Sequence, residues 1–199
     1  MPRGTFEFWY DVVCPYAYLG STQIATVEAE TGARAVYRPF LLGGVFKLLG
    51  SGYDPNASMA EAKAALNRVD MSRWAGWFGV PLRMPGAHPR RTVLAMRAIL
   101  AAGPENRRAA TDALFRAYWV DAGDVADAAV VSEALCDAGL DGDACVEAAS
   151  DPAIKDALRE HTDEAIARGI FGAPAFFVGP EMFWGQDRLD FVRAALRES

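Results

Sequence analysis

The first forty residues alternate between strand-like and helix-like patterns of apolar positions. Residues 5–13 are rich in aromatic and β-branched side chains, which favour a buried strand. Pro15 suits the first turn of a helix, and apolar residues at helical spacing follow it as far as Gly32. Residues 34–40 alternate again and predict a second strand. The order β-α-β is the minimum for two parallel strands joined by a helix.

The middle of the chain changes to helical spacing. The segment LLGG, residues 41–44, is interpreted as a glycine-rich turn. The predicted helices cover residues 63–78, 90–102 and 104–120, two shorter segments around Cys136 and Cys145, and residues 152–168. Alanine is the strongest helix former and is frequent throughout this part. The pattern therefore predicts one long all-helical segment.

The last part of the chain returns to strand patterns. Residues 174–178 are apolar and short, a Gly-Pro turn follows, residues 181–184 predict another strand, and a helix starts at Gln186. The complete order, β-α-β, helices, then β-β-α, predicts an α/β thioredoxin-like fold with a large all-helical insertion. The predicted division is 1–45 and 161–199 for the two parts of the thioredoxin-like domain and 46–160 for the insertion.

The composition excludes several classes of partner. A net charge of −6 argues against binding to a nucleic-acid backbone. No apolar stretch approaches the roughly 20 residues that span a bilayer, and the first residues do not resemble a signal peptide. Cys14, Cys136 and Cys145 lack the paired spacing of metal sites. We therefore expect a cytoplasmic protein with reduced thiols, no metal, and no nucleic-acid or membrane partner.

Cys14 stands where the first predicted strand gives way to the first helix. Unpaired backbone N–H groups and the positive end of the helix dipole stabilise a thiolate there, so we expect a lowered pKa and a nucleophilic sulfur. The alternative is a buried structural thiol, since free cysteines are commonly buried. Ala17 takes the place of a second cysteine, which excludes dithiol–disulfide cycling within the turn. Cys136 and Cys145 lie in predicted helices and are interpreted as packing residues.

Two motifs near the end of the chain predict the other side of the site. FGAPAFF places Ala173 and Pro174 before a strand, where thioredoxin-like folds carry a cis-proline opposite the active-site turn. A cis bond there presents the preceding backbone N–H and C=O to an extended peptide. In FWGQDRLDF, Gln186 and Asp187 either cap the last helix or hold the charged end of a small peptide. Four cations are by default surface charges: Lys47, Lys63, Arg73 and Arg91.

Six motifs spread over nearly the whole chain carry a family resemblance. They are FWYDVVCPYAYLG, RPFLLGGVFK, RWAGWFGVPL, HPRR, FRAYWV and RGIFGAPAFFVGPEMFWGQDRLDF. Together they resemble the 2-hydroxychromene-2-carboxylate isomerases and the related kappa-class glutathione transferases, and the combination of the first and last motifs is highly specific. The resemblance implies a thioredoxin-like fold with a helical insertion, a homodimer, and glutathione as cofactor.

The resemblance also implies an activity. Isomerases of this kind interconvert 2-hydroxychromene-2-carboxylate and trans-o-hydroxybenzylidenepyruvate, a step in bacterial catabolism of naphthalene-like aromatics. The implied mechanism begins when the glutathione thiolate adds to the conjugated carbon and the ring opens. A former double bond then rotates as a single bond, and the thiolate leaves without net redox change.

The site residues follow from the same resemblance. Cys14 occupies the position of a serine that hydrogen-bonds the glutathione thiolate. Ala173, before Pro174, would pair with the cysteinyl backbone of glutathione. The family's glutathione-binding stretch corresponds to Trp184, Gly185, Gln186 and Asp187, with glutamine in place of asparagine. The substrate pocket would include Lys47, near the substrate carboxylate, together with Asn56 and His88.

A cysteine at position 14 leaves three interpretations open. It replaces the serine as a weaker hydrogen-bond donor, it forms a mixed disulfide with glutathione, or it attacks the substrate directly. The sequence favours the first, because Ala17 is not a cysteine. The alternative functions are a monothiol thiol–disulfide oxidoreductase or kappa-class-like glutathione transferase that uses Cys14, and a non-catalytic peptide-binding module. Lys47 and the cluster at residues 184–187 favour an intact small-molecule site over the last.

Overall fold

The computed structural model describes residues 4–50 and 59–198, and a four-stranded sheet lies at its centre. The strands are β1 (Thr5–Tyr10), β2 (Arg34–Pro39), β3 (Ala175–Val178) and β4 (Glu181–Trp184). Their order in the sheet is β2-β1-β3-β4. β1 is parallel to β2, whereas β3 is antiparallel to both β1 and β4. The predicted α/β thioredoxin-like fold with a helical insertion is confirmed, because both ends of the chain contribute strands to this sheet.

Helices occupy most of the remaining described chain. They are α1 (Pro15–Ser21), α2 (Ile24–Thr31), α3 (Leu42–Leu48), α4 (Glu61–Phe78), α5 (Val93–Ala101), α6 (Gly103–Trp119), α7 (Ala128–Asp137), α8 (Gly142–Ala148), α9 (Pro152–Ala167) and α10 (Leu189–Glu198). The division at residues 45/46 and 160/161 stays a prediction, and its two boundaries fall inside α3 and α9. Within the described ranges, none of these helices combines the length and apolar character needed to cross a bilayer.

Several predicted helices differ from the structure in extent; the one predicted at residues 90–102, for example, is α5 at Val93–Ala101. The helix predicted after Pro15 is interrupted between α1 and α2, because the hydroxyls of Ser21 and Thr22 donate to the carbonyls of Tyr18 and Leu19, each at 2.7 Å. Side-chain hydroxyls that bond to the backbone in this way compete with continuation of a helix. The last helix begins later than predicted, since Gln186–Arg188 form a 3-10 turn before α10.

The turn predicted at residues 41–44 is wrong, because these residues lead into α3. The Leu42 N–H donates to Asp11 Oδ2 at 2.9 Å, which gives a backbone donor at the start of the helix a partner. A Cβ on Gly44 would stand 2.9 Å from Thr162 Cγ2 of α9, so glycine permits the close packing of the two helices. Tertiary contacts therefore outweigh the low helix propensity of two adjacent glycines.

β1 is the centre of the hydrophobic core. On one face of the sheet, the Phe8 ring stacks on Tyr10 and Phe176, with centroid distances of 4.7 and 5.3 Å. All three side chains are fully buried. β1 ends at Tyr10, earlier than the predicted Val13, and the residues that follow form the turn leading to Cys14. This rigid strand fixes the position of that turn.

The opposite face of β1 holds a buried ion-pair network around Glu7, which is 4% exposed. Its carboxylate accepts hydrogen bonds from Trp9 Nε1 at 3.0 Å, from Arg38 at 3.2 Å, and from Arg168. Both guanidinium groups lie over the Trp9 ring, 5.3 and 5.5 Å from its centroid. Burial raises the pKa of Glu7, but the hydrogen bonds from Trp9 and Arg168 and the nearby positive charges outweigh it, so the net pKa is lowered. One carboxylate thus links β1, β2 and the end of α9.

Candidate active site

A single buried carboxyl group organises the turn after β1. Asp11 is 1% exposed. Its Oδ1 accepts hydrogen bonds from the Val13 N–H at 3.1 Å and the Thr92 hydroxyl at 2.7 Å, while Oδ2 accepts from the Leu42 N–H. Burial raises the pKa of Asp11, and these hydrogen bonds offset part of that rise. Asp11 therefore holds together the turn before Cys14, the start of α3 and the N-cap of α5.

Cys14 is the N-cap of α1 and is 7% exposed. Its Sγ–H donates to the Ala173 carbonyl at 3.0 Å. Burial raises the pKa of Cys14 to about 12, although the backbone N–H groups of Tyr16 and Ala17 act in the opposite direction. The expected lowered pKa is therefore wrong in this structure, because desolvation exceeds the stabilisation by the helix terminus. This raised pKa favours the protonated thiol at neutral pH.

The loop that covers Cys14 contains the predicted cis-proline. The Ala173-Pro174 bond is cis, as the FGAPAFF motif predicts. The Pro174 carbonyl accepts a hydrogen bond from the Gly185 N–H at 2.9 Å, which joins this loop to the end of β4. Gly20 of α1 packs directly on the same loop, since a Cβ there would lie 3.5 Å from Pro174 Cγ and 3.6 Å from Gln186 Cβ. Cys14, Ala173, Pro174, Gly185 and Gln186 are thus brought together around α1.

Trp184 and Asp187 form the more exposed part of this region. Trp184 is 50% exposed, and its ring lies 4.8 Å from that of Phe171. A Cβ on Gly172 would lie 2.6 Å from Trp184 Nε1, so only glycine permits this position of the indole. Gly185 has φ 109° and lies against the Asp187 carboxylate, which pairs with Arg188. Gln186, by contrast, is 6% exposed.

Tyr16 is a site residue that the sequence analysis missed. Its hydroxyl donates to Asp70 Oδ2 of α4 at 3.0 Å. Burial, this hydrogen bond and the negative charge of Asp70 raise the pKa of Tyr16, and Cys14 and Asp187 add smaller contributions of the same sign. The Tyr16 phenol therefore lies near Cys14 and near Asp187, which belong to the two predicted parts of the site. Only the packing of α4 against α1 reveals this, and residue spacing does not predict it.

A cavity of about 410 Å³ adjoins the turn before Cys14. Its apolar walls come from Val13, Leu41, Leu42, Phe46, Pro89 and Val93. Asp11, Arg91 and Thr92 are its polar lining residues, with Gly43 and Gly44 between the walls. Such a volume and lining are typical of a small-molecule site. The sequence alone predicts Arg91 to be a surface charge and gives no signal for Asp11 as a lining residue.

The three predicted substrate residues relate differently to this cavity. Lys47 is exposed and follows Phe46, which lines the cavity, although Lys47 itself does not. His88 precedes the lining residue Pro89, and its Nδ1 lies 3.0 Å from the Tyr118 hydroxyl. Asn56 lies outside the residues that the structure describes.

Comparison with known proteins identifies the family. Residues 5–197 match the model of the DsbA-like thioredoxin domain. A curated 2-hydroxychromene-2-carboxylate isomerase of Sphingobium xenophagum is 31% identical over 192 residues, which cover 96% of this chain and 97% of the relative. The chain belongs to the 2-hydroxychromene-2-carboxylate isomerase family.

Two further comparisons agree with this family assignment. A solved structure of a 2-hydroxychromene-2-carboxylate isomerase superposes with a TM-score of 0.85 at 27% identity, covering 98% of this chain and 95% of that one. Rat glutathione S-transferase kappa 1 is 28% identical, covering 99% of this chain and 92% of its own length. The predicted enzyme class, an isomerase of the 2-hydroxychromene-2-carboxylate isomerase type, is confirmed, as is the similarity to kappa-class glutathione transferases.

The other two cysteines of this family member lie away from the predicted site residues in the sequence. Cys145 is buried, as the packing interpretation predicts, whereas that interpretation is wrong for Cys136, which is exposed near the end of α7. Across residues 4–50 and 59–198, no cluster of three or more His, Cys, Asp or Glu side chains is arranged to hold a metal ion.

Proposed function

We propose that this enzyme interconverts 2-hydroxychromene-2-carboxylate and trans-o-hydroxybenzylidenepyruvate, or a close aromatic analogue, with glutathione as cofactor. The Sphingobium relative carries this substrate in its name, and the rat relative is named as a glutathione transferase. The observation that carries the proposal is where the Cys14 thiol lies. It is held against the Ala173 carbonyl, one residue from the wall of a largely apolar cavity.

The groups around Cys14 fit a small tripeptide thiol. The backbone of Ala173 and the half-exposed ring of Trp184 offer a peptide edge and a flat apolar surface. The amide of Gln186 and the carboxylate of Asp187 follow at the Gly185 turn, and the carboxylate suits an ammonium group although Arg188 shares it. When bound, glutathione supplies a thiolate that adds to the substrate and leaves again without net oxidation.

Cys14 acts in this proposal as a hydrogen-bond donor and not as the nucleophile. A protonated sulfur does not attack, whereas it does donate S–H. The Ala173 carbonyl accepts the Cys14 S–H in this structure. When glutathione binds, its backbone N–H takes over that carbonyl, and the Cys14 S–H turns towards the glutathione thiolate. The raised pKa of Cys14 disfavours the monothiol oxidoreductase alternative, which needs a reactive thiolate, whereas Ala17 excludes only dithiol cycling within the turn.

Replacing Cys14 with serine is expected to retain glutathione-dependent isomerisation, and replacing it with alanine to impair it. A hydroxyl is a stronger donor than a thiol, so Cys14→Ser keeps or raises kcat/KM. Cys14→Ala removes a hydrogen bond to a charged group and lowers kcat/KM by about ten- to a hundredfold. Absorbance during equilibration of the hydroxychromene carboxylate, with and without glutathione, measures both effects.

Cys136→Ser is the matched control for this experiment, because it makes the same change at an exposed cysteine, and it should leave the rate unchanged. Loss of turnover in Cys14→Ser would instead make Cys14 the nucleophile. Full turnover without glutathione would contradict the cofactor assignment. An inactive wild type that forms a mixed disulfide at Cys14, detected by intact mass, would contradict the isomerase proposal and support a monothiol oxidoreductase.

We further propose that Lys47, Asn56 and His88 contribute to the substrate pocket. Support is most direct for His88, whose ring lies 5.2 Å from that of Trp119 and whose Nδ1 meets the Tyr118 hydroxyl. The Trp119 Nε1 donates to the Val12 carbonyl at 2.8 Å, so this aromatic cluster connects Pro89 on the cavity wall to the turn before Cys14.

We propose that the enzyme works as a cytoplasmic protein of aromatic catabolism. Cys14, Cys136 and Cys145 are all free thiols, which suits a reducing compartment. The substrate class implied by the family belongs to the catabolism of naphthalene-like aromatics.

A homodimer is the proposed assembly, and the exposed side of α4 is its proposed contact surface. α4 buries only Met71 and Ala75 among its 18 residues. Half of the large apolar side chains that are exposed in the described chain lie at the end of α3 and along α4: Leu48, Leu49, Leu66, Val69 and Trp77. Exposed apolar side chains concentrated in this way favour a contact surface, and most soluble oligomers are two-fold dimers.

Trp77→Glu is therefore expected to convert the dimer to a monomer at micromolar concentration. Trp77 is 81% exposed, and a charge at that position would be desolvated in the contact. Phe191→Glu on α10 is the matched control, because Phe191 is also an exposed aromatic residue (59%), and it should leave the dimer intact. Light scattering coupled to size exclusion measures the mass. A dimer that survives Trp77→Glu would rule out this surface.

A further inference from the structure

Arg91 differs from the other cations near the predicted site. It lines the cavity and is solvent-exposed, and within residues 4–50 and 59–198 it has no carboxylate within ion-pair distance. Its neighbour Arg90 pairs with Asp124 at 3.0 Å. An arginine without an anionic partner on the wall of an apolar cavity is available to a ligand.

The other charged residue of the cavity, Asp11, forms no ion pair with Arg91. Both carboxylate oxygens of Asp11 already accept hydrogen bonds, from Val13, Leu42 and Thr92, and Asp11 is almost completely buried. The lining of the cavity therefore combines one exposed guanidinium group, the buried Asp11 carboxyl group and apolar side chains that include Phe46 and Val93. This combination is complementary to a flat apolar ring that carries one anionic group.

We propose that Arg91 binds the carboxylate of the substrate and selects aromatic carboxylates over their neutral analogues. The inference rests on the proposed function and names the residue that recognises the acid. The planar guanidinium matches a carboxylate through two parallel N–H donors, which a lysine ammonium does not reproduce. The family resemblance assigns this contact to Lys47, yet Lys47 follows the lining residue Phe46 without lining the cavity itself. Lys47, which is exposed and next in the chain to the lining residue Phe46, is therefore retained as a second positive charge and not as the carboxylate ligand.

Binding of a stable bicyclic acid tests the assignment without any turnover. The probes are chromone-2-carboxylate and chromone-2-carboxamide, which share the ring and differ in charge. Calorimetric titration would compare the wild type with Arg91→Gln, Arg90→Gln and Lys47→Gln. We expect Arg91→Gln to weaken binding of the acid by about ten- to a hundredfold, as for a hydrogen bond to a charged group, and to leave the amide unchanged. Arg90→Gln should bind both probes like the wild type.

Several outcomes would overturn the proposal. Arg91→Gln that binds the acid as the wild type does, or that loses the amide equally, would exclude recognition of the carboxylate by Arg91. Loss of the acid only in Lys47→Gln would return the contact to Lys47. A wild type that binds neither probe would exclude an aromatic-acid site in this cavity. Arg91-dependent binding of the acid by a protein without isomerase turnover would support the carboxylate site and refute the proposed reaction. Failure of the site and failure of the reaction are therefore distinguishable.

Discussion

Glu7→Gln is expected to lower the free energy of unfolding by about 3 kcal/mol, because it leaves two guanidinium groups next to Trp9 without their buried counter-charge. The substitution preserves the shape of the side chain, so no cavity contributes to the loss. Urea denaturation followed by tryptophan fluorescence measures the change in unfolding free energy, with a constant m-value as the check that the transition remains comparable.

Glu164→Gln provides the matched control, since Glu164 contacts the same two arginines but its side chain is 39% exposed. Exposed ion pairs contribute about 0–1 kcal/mol, so this variant should stay close to the wild type. Equal losses of unfolding free energy in Glu7→Gln and Glu164→Gln would show that the burial of Glu7 does not increase the contribution of its charge to stability.

The same network gives the stability a defined pH dependence. The folded-state pKa of Glu7 is lowered from its ordinary value of 4.5. Its stabilising contribution is therefore present above pH 4.5 and is lost as the pH falls through the folded-state pKa. Glu7→Gln should remove part of this acid sensitivity, so the wild-type and variant unfolding free energies converge on acidification. A constant difference down to the acid limit would contradict the assignment.

Asp11→Ala is the second large expected effect, with a loss of about 3 kcal/mol in unfolding free energy and at least a tenfold lower kcat/KM. The substitution leaves the Val13 and Leu42 N–H groups and the Thr92 hydroxyl without their acceptor, and buried unsatisfied donors cost about 1–3 kcal/mol each before relaxation. Activity falls because the three segments that Asp11 joins also line the cavity. Chemical denaturation and the isomerisation assay measure the two losses.

A graded series separates loss of these hydrogen bonds from general disruption. Thr92→Val removes one donor to Asp11 and should cost about 1 kcal/mol. Asp11→Asn retains one acceptor oxygen and should fall between Thr92→Val and Asp11→Ala. If Asp11→Asn and Asp11→Ala were both as stable and active as the wild type, Asp11 would have no positioning role. Circular dichroism at the assay temperature checks that each variant is folded.

The strands were predictable because their signals are local. The aromatic and β-branched residues of β1 specify a buried strand without reference to the rest of the chain. The end of β1 was not predictable, since it depends on Asp11 taking donors from α3 and α5. The error at residues 41–44 has the same origin. The glycines at 43 and 44 predict a turn from local sequence, whereas contacts with the distant residues Asp11 and Thr162 favour a helix.

The site was predictable where a motif carries it and not where packing creates it. The position of Cys14 and the cis bond before Pro174 follow from strand, helix and proline order. The pKa of Cys14 does not follow from the sequence, because the helix terminus lowers it and burial raises it. The helix terminus is visible in the sequence, whereas the depth of burial depends on a distant loop. Tyr16 and Arg91 were missed because α4 and the cavity wall give them their surroundings.

The contact between Cys14 and Ala173 has a consequence for the timing of synthesis. The two residues are 159 positions apart in the chain. A ribosome adding about 5–20 residues per second takes roughly 10–30 s to cover that distance. Throughout this interval the sulfur lacks its cover and titrates like an ordinary cysteine, with a pKa of about 8.5. The thiol therefore acquires this cover only after Ala173 has been synthesised and has folded onto Cys14.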